Sequence, residues 1–411
     1  MERVISFLQG AYLQQRDPDV LPPGNHCSLS DRPRSPKRQH TIITLRRLAF
    51  LVVPILVSVA SCERRPVEVS SPPFEEVFEM ADVIVLGEDP SDSIAEVGEF
   101  FERRDGGFVI SDRLLPRVRA YSTDGSFEAA FGRFGDGPWE FRTIRDVAEV
   151  ADGRIAVTGA QNGAVTYLTP DLTPHSMLLI EDFTSSMLLP FDRDFVFTGR
   201  ARDVNMVAEM DGVFHRLVGS AVTWSSWNTL AASKPYWNAL GGLHGAVGGD
   251  SVYVMAGLLY PATILNASGD SVGSIGTPSL DFRRVPELQR GALAFTAGEG
   301  AAVQAGIVIK ELIESFDLVT GMDVVDDDYL VFTLGRHDPT KPWFPFKQLD
   351  VSVEAYNRHT GEKLFENVPL PEGSRVLGGG RYLYVLLNAE IPPWRIAKYE
   401  LLPLWGRFTL G

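Results

Sequence analysis

Beyond residue 74 the apolar and polar positions recur on a short cycle. A turn rich in Gly and Asp leads into a β-branched or aromatic run, then a short link, a second run, another Gly/Asp turn and a third run. The clearest copy is "DGGFVISDRLLPRVRAYSTDGSFEAAFG", Asp105 to Gly132. Its spacing predicts strands at Phe108–Ile110, Val118–Tyr121 and Phe127–Phe131, with a hairpin turn at Thr123–Gly125. Further copies begin at Ala151, Asp192, Gly248, Asp326 and Gly378, which makes six. Four-stranded units repeated at intervals of roughly 40 to 50 residues predict an all-β chain folded as a six-bladed β-propeller.

The sixth copy ends on a third strand near Arg395 to Leu401 and has no fourth. A strand-like run, "FEMADVIVLG" at Phe78 to Gly87, stands unused ahead of the first copy. Pairing the two would close the ring and leave no free edge. The expectation is that residues 78–87 lie beside 395–401, with the N-terminal strand completing the last blade.

Between the first two copies runs "FGRFGDGPWEF", Phe131 to Phe141. A phosphate-binding loop would carry the lysine and following helix of GxxxxGK[ST], and this stretch has neither. It reads as a corner that returns the chain from an outer strand to the next inner one, with Trp139 and Phe141 packing between neighbouring blades.

Within the first copy, "GFVISD", "RVRAY" and "FEAAFG" resemble the second, third and outer strands of NHL-repeat and related six-bladed propellers. The resemblance covers about Gly106 to Phe141. It implies that Asp112 and Arg117, flanking the link, brace it.

The N-terminal region reads as an address. Arg46 and Arg47 precede Leu48–Ala60, an apolar run of 13 residues, shorter than the roughly 20 needed to span a bilayer as a helix and suited to the core of a secretory signal. It ends in "VASC", Val59 to Cys62, which resembles the bacterial lipobox and implies cleavage before Cys62 and diacylation of that cysteine. A plain signal peptide cut near Ala60 is the alternative. "ERRPVEVSSPP" then reads as a tether, and Glu63, where an aspartate commonly retains lipoproteins in the inner membrane, leans towards the outer one. Residues 1–41 fit neither signal nor domain; they read as a mis-called start or a disordered extension. The division is therefore 42–61 signal, 62–73 tether and 74–405 propeller, in the cell envelope outside the cytoplasm.

Charge narrows the partners. Residues 62–411 hold 30 Lys and Arg against 49 Asp and Glu, a net charge of −19, which repels nucleic acid. Membrane contact is expected through the lipid anchor. Cys27 and Cys62 are the only cysteines, too few for a disulfide framework.

In a propeller, links from second to third strand and from blade to blade share one face, and the hairpin turns take the other. The turns here are short, "MDG" at Met210–Gly212 among them, whereas the long links Gly219–Gly241, Pro278–Phe316 and Gly335–Asp350 fall on the first face. A built-up face of this kind suggests recognition, and Val303–Phe316 has the apolar spacing of a short capping helix. The links carry Trp224, Trp227, Tyr236, Trp237, Trp343, Phe344 and Phe346, which either stack on a ligand or anchor their own loops. Arg200, Arg202, Arg336 and Lys341 lie on the same face and suit a carboxylate or phosphate. Trp237, Trp343, Arg200, Arg202 and Arg336 are the candidate ligand contacts, for a small molecule, a glycan or an envelope protein.

The rival chemistry lies at the axis, where Asp146, His244 and Asp323 fall on inner strands. A calcium or zinc centre there, like those of gluconolactonase-like propellers, would make the chain a metal-dependent hydrolase or lactonase; the alternative is polar lining with water. No HExxH pairing and no G-x-S-x-G elbow is present. The sequence favours a non-enzymatic binding or scaffolding module without a cofactor.

Overall fold

The computed structural model describes residues 71–403 except 88–92, 160–162, 180–183, 201–213, 219–220, 227–242, 258–259, 285–309, 312, 342–348 and 390–391. The chain comes in through one helical turn, α1 (Phe74–Val77), and an eight-residue strand, β1 (Phe78–Val85). Five four-stranded antiparallel sheets follow in chain order. The first holds β2 (Val97–Glu102), β3 (Phe108–Asp112), β4 (Val118–Tyr121) and β5 (Phe127–Phe131), and the second β6 (Ile144–Glu149), β7 (Ile155–Gly159), β8 (Ala164–Leu168) and β9 (Pro174–Leu179). The third holds β10 (Thr184–Phe191), β11 (Asp194–Arg200), β12 (Phe214–Val218) and β13 (Ala221–Ser226). The fourth comprises β14 (Leu243–Gly248), β15 (Ser251–Ala256), β16 (Ala262–Leu265) and β17 (Ser271–Ile275). In the fifth are β18 (Leu318–Val325), β19 (Tyr329–His337), β20 (Leu349–Asn357) and β21 (Lys363–Pro369). The last sheet is composite, since β22 (Arg375–Gly378), β23 (Leu383–Leu387) and β24 (Arg395–Leu401) are joined by β1, in the order β1-β24-β23-β22.

The first strands neighbour one another in sequence, β2 beside β6, then β10, β14, β18 and β22, and β22 lies beside β2. Strands that succeed one another in this way stand around a common axis, the arrangement of a β-propeller. Burial follows position in the sheet. All five residues of β3 and of β8 are buried, while β17 exposes four of its five. Runs such as "FVISD" and "AVTYL" are therefore nearly continuous in apolar or small residues because neighbouring sheets cover both their faces.

The glycine-rich corner does what its composition suggests. Phe141 is buried with Val109, Val118, Val147 and Val157, between the first and second sheets, with its ring 6.3 Å from that of Phe131. Gly132 adopts φ +104°, and a Cβ there would lie 2.5 Å from the carbonyl oxygen of Pro116, so no other residue fits without displacing backbone. Trp139 takes the left-handed conformation at φ 66° and is half-buried, so of the two aromatics Phe141 carries the packing.

β1 lies antiparallel to β24, with Phe78 opposite Leu401 and Val85 opposite Arg395. α1 pins its start: Phe74 stacks on Phe78 at 4.6 Å and meets Tyr399 edge-on at 4.8 Å, and the N–H of Leu402 donates to the carbonyl of Val77.

Two sequence assignments are corrected in the third sheet. Phe214–Val218 is its third strand rather than its fourth, because Ala221–Ser226 pairs with it, Val218 opposite Ala221. The connection between these two strands, 219–220, and "MDG", between β11 and β12, both lie outside the described residues. Trp224 accordingly sits in a strand, opposite Arg216, rather than in a long loop. Of the proposed capping helix, residues 310–311 and 313–315 are helical and 303–309 and 312 lie outside the described residues.

Candidate functional site

The axial side chains are placed by a repeated irregularity. In five sheets the first strand slips register against the second: between Val97 and Phe100, Ile144 and Asp146, Ser185 and Met187, Val319 and Gly321, and Val376 and Gly378. The first four sit at a Ser or Thr of the second strand, namely Ser111, Thr158, Thr198 and Thr333, and the last opposite Val385 and Tyr384. Such bulges leave a backbone group unpaired and re-aim a side chain. In the first sheet the hydroxyl of Ser111 takes up the freed group, accepting from the N–H of Glu99 at 2.8 Å. Gly98 makes room, since a Cβ there would be 2.5 Å from that same hydroxyl.

The polar residues turned inward mostly hold one sheet to the next. The carboxylate of Asp146 on β6 accepts from the N–H of Val147 at 2.7 Å and from that of Leu188 on β10. His244 Nε2 on β14 donates to the carbonyl of Val319 on β18 at 2.9 Å. Asp323 on β18 accepts from the N–H of Gly379, just after β22, at 3.0 Å, and Arg375 on β22 donates to the carbonyl of Val97 on β2. Among the described residues, four junctions are thus bridged from a side chain on a first strand to the backbone of the next sheet. Asp146, His244 and Asp323 do lie on first strands, but each is engaged by its neighbour. Among the described residues no three His, Cys, Asp or Glu side chains converge so as to hold a metal ion.

Glu99 is different, and sequence reasoning missed it. Its side chain is exposed at the centre of the ring although strands wall it in, and among the described residues no hydrogen bond or ion pair reaches its carboxylate. That enclosure raises its pKa, with Arg375 and Arg113 pulling the other way. Burial, reinforced by the Glu99 charge, also holds Asp146 well above the usual carboxylate range, despite its two backbone N–H donors. For Asp323 burial is again the main cause, opposed by the Gly379 N–H and aided by Glu99, and the pKa is pushed up to about 6. Glu99 thus repels the carboxylates of two other sheets, Asp146 and Asp323. Gly98 preceding Glu99 was the available signal, since glycine inside a strand marks a bulge.

This strain has a sign that can be tested. A carboxyl group whose pKa is higher folded than unfolded favours folding when protonated and opposes it when ionised. With an unfolded value near 3.9, Asp323 opposes folding above pH 6, and the penalty fades as pH falls through 6 and is gone below about 4. Asp323→Asn keeps an acceptor for Gly379 and removes the charge. Urea unfolding is expected to show it more stable than wild type by about 1–3 kcal/mol at pH 8 and equal to it at pH 4. A difference independent of pH would show that the charge is not the cause.

The looped face is only partly described. Trp227, Tyr236, Trp237, Arg202, Trp343, Phe344 and Phe346 lie outside the described residues, and Arg200 ends β11 without a described side chain. Arg336 ends up against two carboxylates, Asp317 at 2.8 Å and Asp281 at 3.1 Å, and Arg283 grips Asp317 from the other side at 2.7 Å. Arg336 thus ties the long link between β17 and β18 to β19. Lys341 pairs with Asp350 at 2.6 Å. The link after β3 is braced by Asp112, whose carboxylate accepts from the N–H groups of Leu114, Leu115 and Ala95. Its arginine partner is Arg119, at 3.2 Å with both side chains buried, and not Arg117, which contributes its backbone carbonyl to the Asp112 N–H.

No protein-family model and no curated protein matches the chain. Solved structures are similar in fold. A Bacteroides fragilis protein named as a candidate exported protein is 13% identical, with a TM-score of 0.56 over 81% of this chain and 97% of that one. A member of the DUF4221 family from Bacteroides vulgatus is 11% identical, with a TM-score of 0.46 over 80% and 99%. Virginiamycin B lyase from Staphylococcus aureus is 11% identical, with a TM-score of 0.40 over 79% and 100%. At these identities the likeness is one of fold.

Proposed function

We propose that the chain is a cell-envelope binding or scaffolding protein: a six-bladed, NHL-like propeller closed by β1, lipid-anchored at Cys62, that receives a cationic group of its ligand at the axis. The observation that carries this reading is Glu99, a carboxylate that accepts no hydrogen bond among the described residues and whose pKa stays raised although Arg375 and Arg113 oppose the shift, and whose charge adds to that of two further carboxylates. A site that keeps mutually repelling charges at a cost in stability is the kind that a ligand of opposite sign relieves. The looped face supplies the surrounding contacts, with Trp237, Trp343, Arg200 and Arg202 as the candidates and Arg336 holding the link beside them. Engagement of His244 and Asp323 by backbone groups of the next blade speaks for this reading over a hydrolase or lactonase.

Spermidine and arginine amide serve as cationic probes in a thermal-unfolding assay of the full chain. Saturating probe is expected to raise the Tm of wild type by several degrees, since a ligand at about 100 times its Kd adds about 2.7 kcal/mol. Glu99→Gln is expected to lose that rise. A stoichiometric calcium or zinc ion, lost on His244→Ala or Asp323→Ala, would instead favour the metal-dependent hydrolase.

A further inference from the structure

In five sheets the third and fourth strands are joined within the sheet, whereas in the composite sheet β24 and β1 meet without a connection, Phe78 opposite Leu401. The point where the chain comes in is thus the equivalent of a third-to-fourth strand hairpin, on the rim of the hairpin face. α1 fixes it there, with Phe74 and Val77 buried. Only 11 residues separate Cys62 from Phe74, a reach of at most about 40 Å fully extended and an average span of roughly 20 Å if flexible.

The two faces also differ in chemistry. Among the described residues the hairpin turns carry eleven acidic side chains, the run Asp326–Asp328 among them, against six arginines, Arg103, Arg104, Arg154, Arg193, Arg358 and Arg381, a net charge of −5. Of the large apolar residues exposed among those described, Met80, Val83, Val85, Leu179 and Val272 lie on outer strands and none on a hairpin turn. The others are on looped-face links: Leu114 at 67% exposed, Leu115, Phe134 at 73% and Leu280, which is fully exposed. Leu114, Leu115 and Phe134 stand on adjoining links, since Gly132 abuts Pro116. An acidic face without apolar side chains has no affinity for an anionic lipid surface and is held off by it within a Debye length. Exposed apolar side chains grouped on one face mark a contact surface.

We infer that the propeller is moored by the rim of its hairpin face, so that the looped face, with Leu114, Leu115, Phe134, Leu280 and the mouth of the axis, opens away from the anchoring membrane. The inference rests on lipid attachment at Cys62. The surface offered for recognition is then the one farthest from the bilayer, and the acidic turns act as a spacer.

Energy transfer from a dye on the protein to rhodamine-labelled lipid headgroups tests the orientation. The full chain, acylated and reconstituted into phosphatidylethanolamine–phosphatidylglycerol vesicles, is labelled through Asp152→Cys on a hairpin turn or Phe134→Cys on the neighbouring looped link; Cys62 is blocked by its lipid and Cys27 lies upstream of the cleavage point. Both labels stand a similar way round the ring from β1. Transfer is expected to be at least about twofold more efficient from position 152, and equal or reversed efficiencies would overturn the orientation. Anchoring is read out beforehand: acyl labelling unchanged in Cys62→Ala, or protein that fails to sediment with the vesicles, would overturn the anchored reading and the orientation with it.

Discussion

Removing residues 71–87 is expected to abolish cooperative folding of the whole domain rather than to trim one sheet. The deleted piece contributes Phe74, Val77, Phe78, Ile84 and Leu86 to two inter-sheet cores, all of them at most 3% exposed. Full burial of such side chains is worth about 2 kcal/mol each, so the loss is on the order of 10 kcal/mol, comparable to the total stability of a domain. The loss also spreads around the ring. Phe78 packs on Phe365 of the fifth sheet at 5.5 Å, Ile84 lies in one core with Tyr121 of the first, and Gly87 donates to the carbonyl of Gly125 in that sheet's outer hairpin. Cutting β1 therefore opens two junctions and exposes β24 as a free edge, an invitation to aggregation. Circular dichroism and denaturant titration of the truncated chain should show no single sigmoidal transition. A truncated chain that unfolds cooperatively within a few degrees of the parent would show that the strand is an appendage.

That role could be read from the chain because its signals are local. A strand-like run without a partner at the start and a copy short of one strand at the end are both visible in residue order. The turns "TDG" and "ADG" announce hairpins for the same reason, since Gly125 and Gly153 adopt φ +83° and +85°. The sheet in which reasoning slipped lacks such a signal: no Asp-Gly pair stands between β12 and β13, and "MDG" ahead of β12 drew the assignment to itself. Partners set by three-dimensional aim were harder to read. Arg117 and Arg119 both flank the link and, two positions apart, share one face by strand alternation, so neither pattern nor composition shows that it is Arg119 that meets Asp112. Glu99 had the plainest disguise, a single carboxylate in "VGEFFE", where a solvent-facing glutamate is the ordinary expectation. The meaning of Gly98 and of the recurrent Ser or Thr near the end of the second strand emerges only when the bulge is seen. Asp146, His244 and Asp323 were placed correctly on first strands, but their hydrogen bonds cross to other blades, and residue order says nothing of those.

Asp112→Ala is expected to be the most damaging single substitution in the first sheet, at about 3–5 kcal/mol, because it breaks a buried ion pair. The Asp112 and Arg119 side chains are 0% and 1% exposed. Arg119 donates to Asp112 and, through its other terminal nitrogen, to the carbonyl of Ser93 at 3.1 Å. Alanine at 112 would take the carboxylate away from the guanidinium and free the N–H groups of Leu114, Leu115 and Ala95 together, each an added cost where water cannot reach. Urea unfolding should show the midpoint falling with the slope unchanged. The double variant Asp112→Ala/Arg119→Met separates the two contributions: with the charge gone as well, only the freed backbone donors and lost packing remain, and stability is expected to recover by about 1–3 kcal/mol relative to Asp112→Ala. Equal destabilisation in single and double variants would mean that Asp112 acts through the link's backbone alone and that the buried ion pair contributes nothing. Loosening of the link should also be visible directly, as faster amide exchange at Leu114 and Leu115 in Asp112→Ala than in Arg119→Met, because only the first removes the acceptor that holds them.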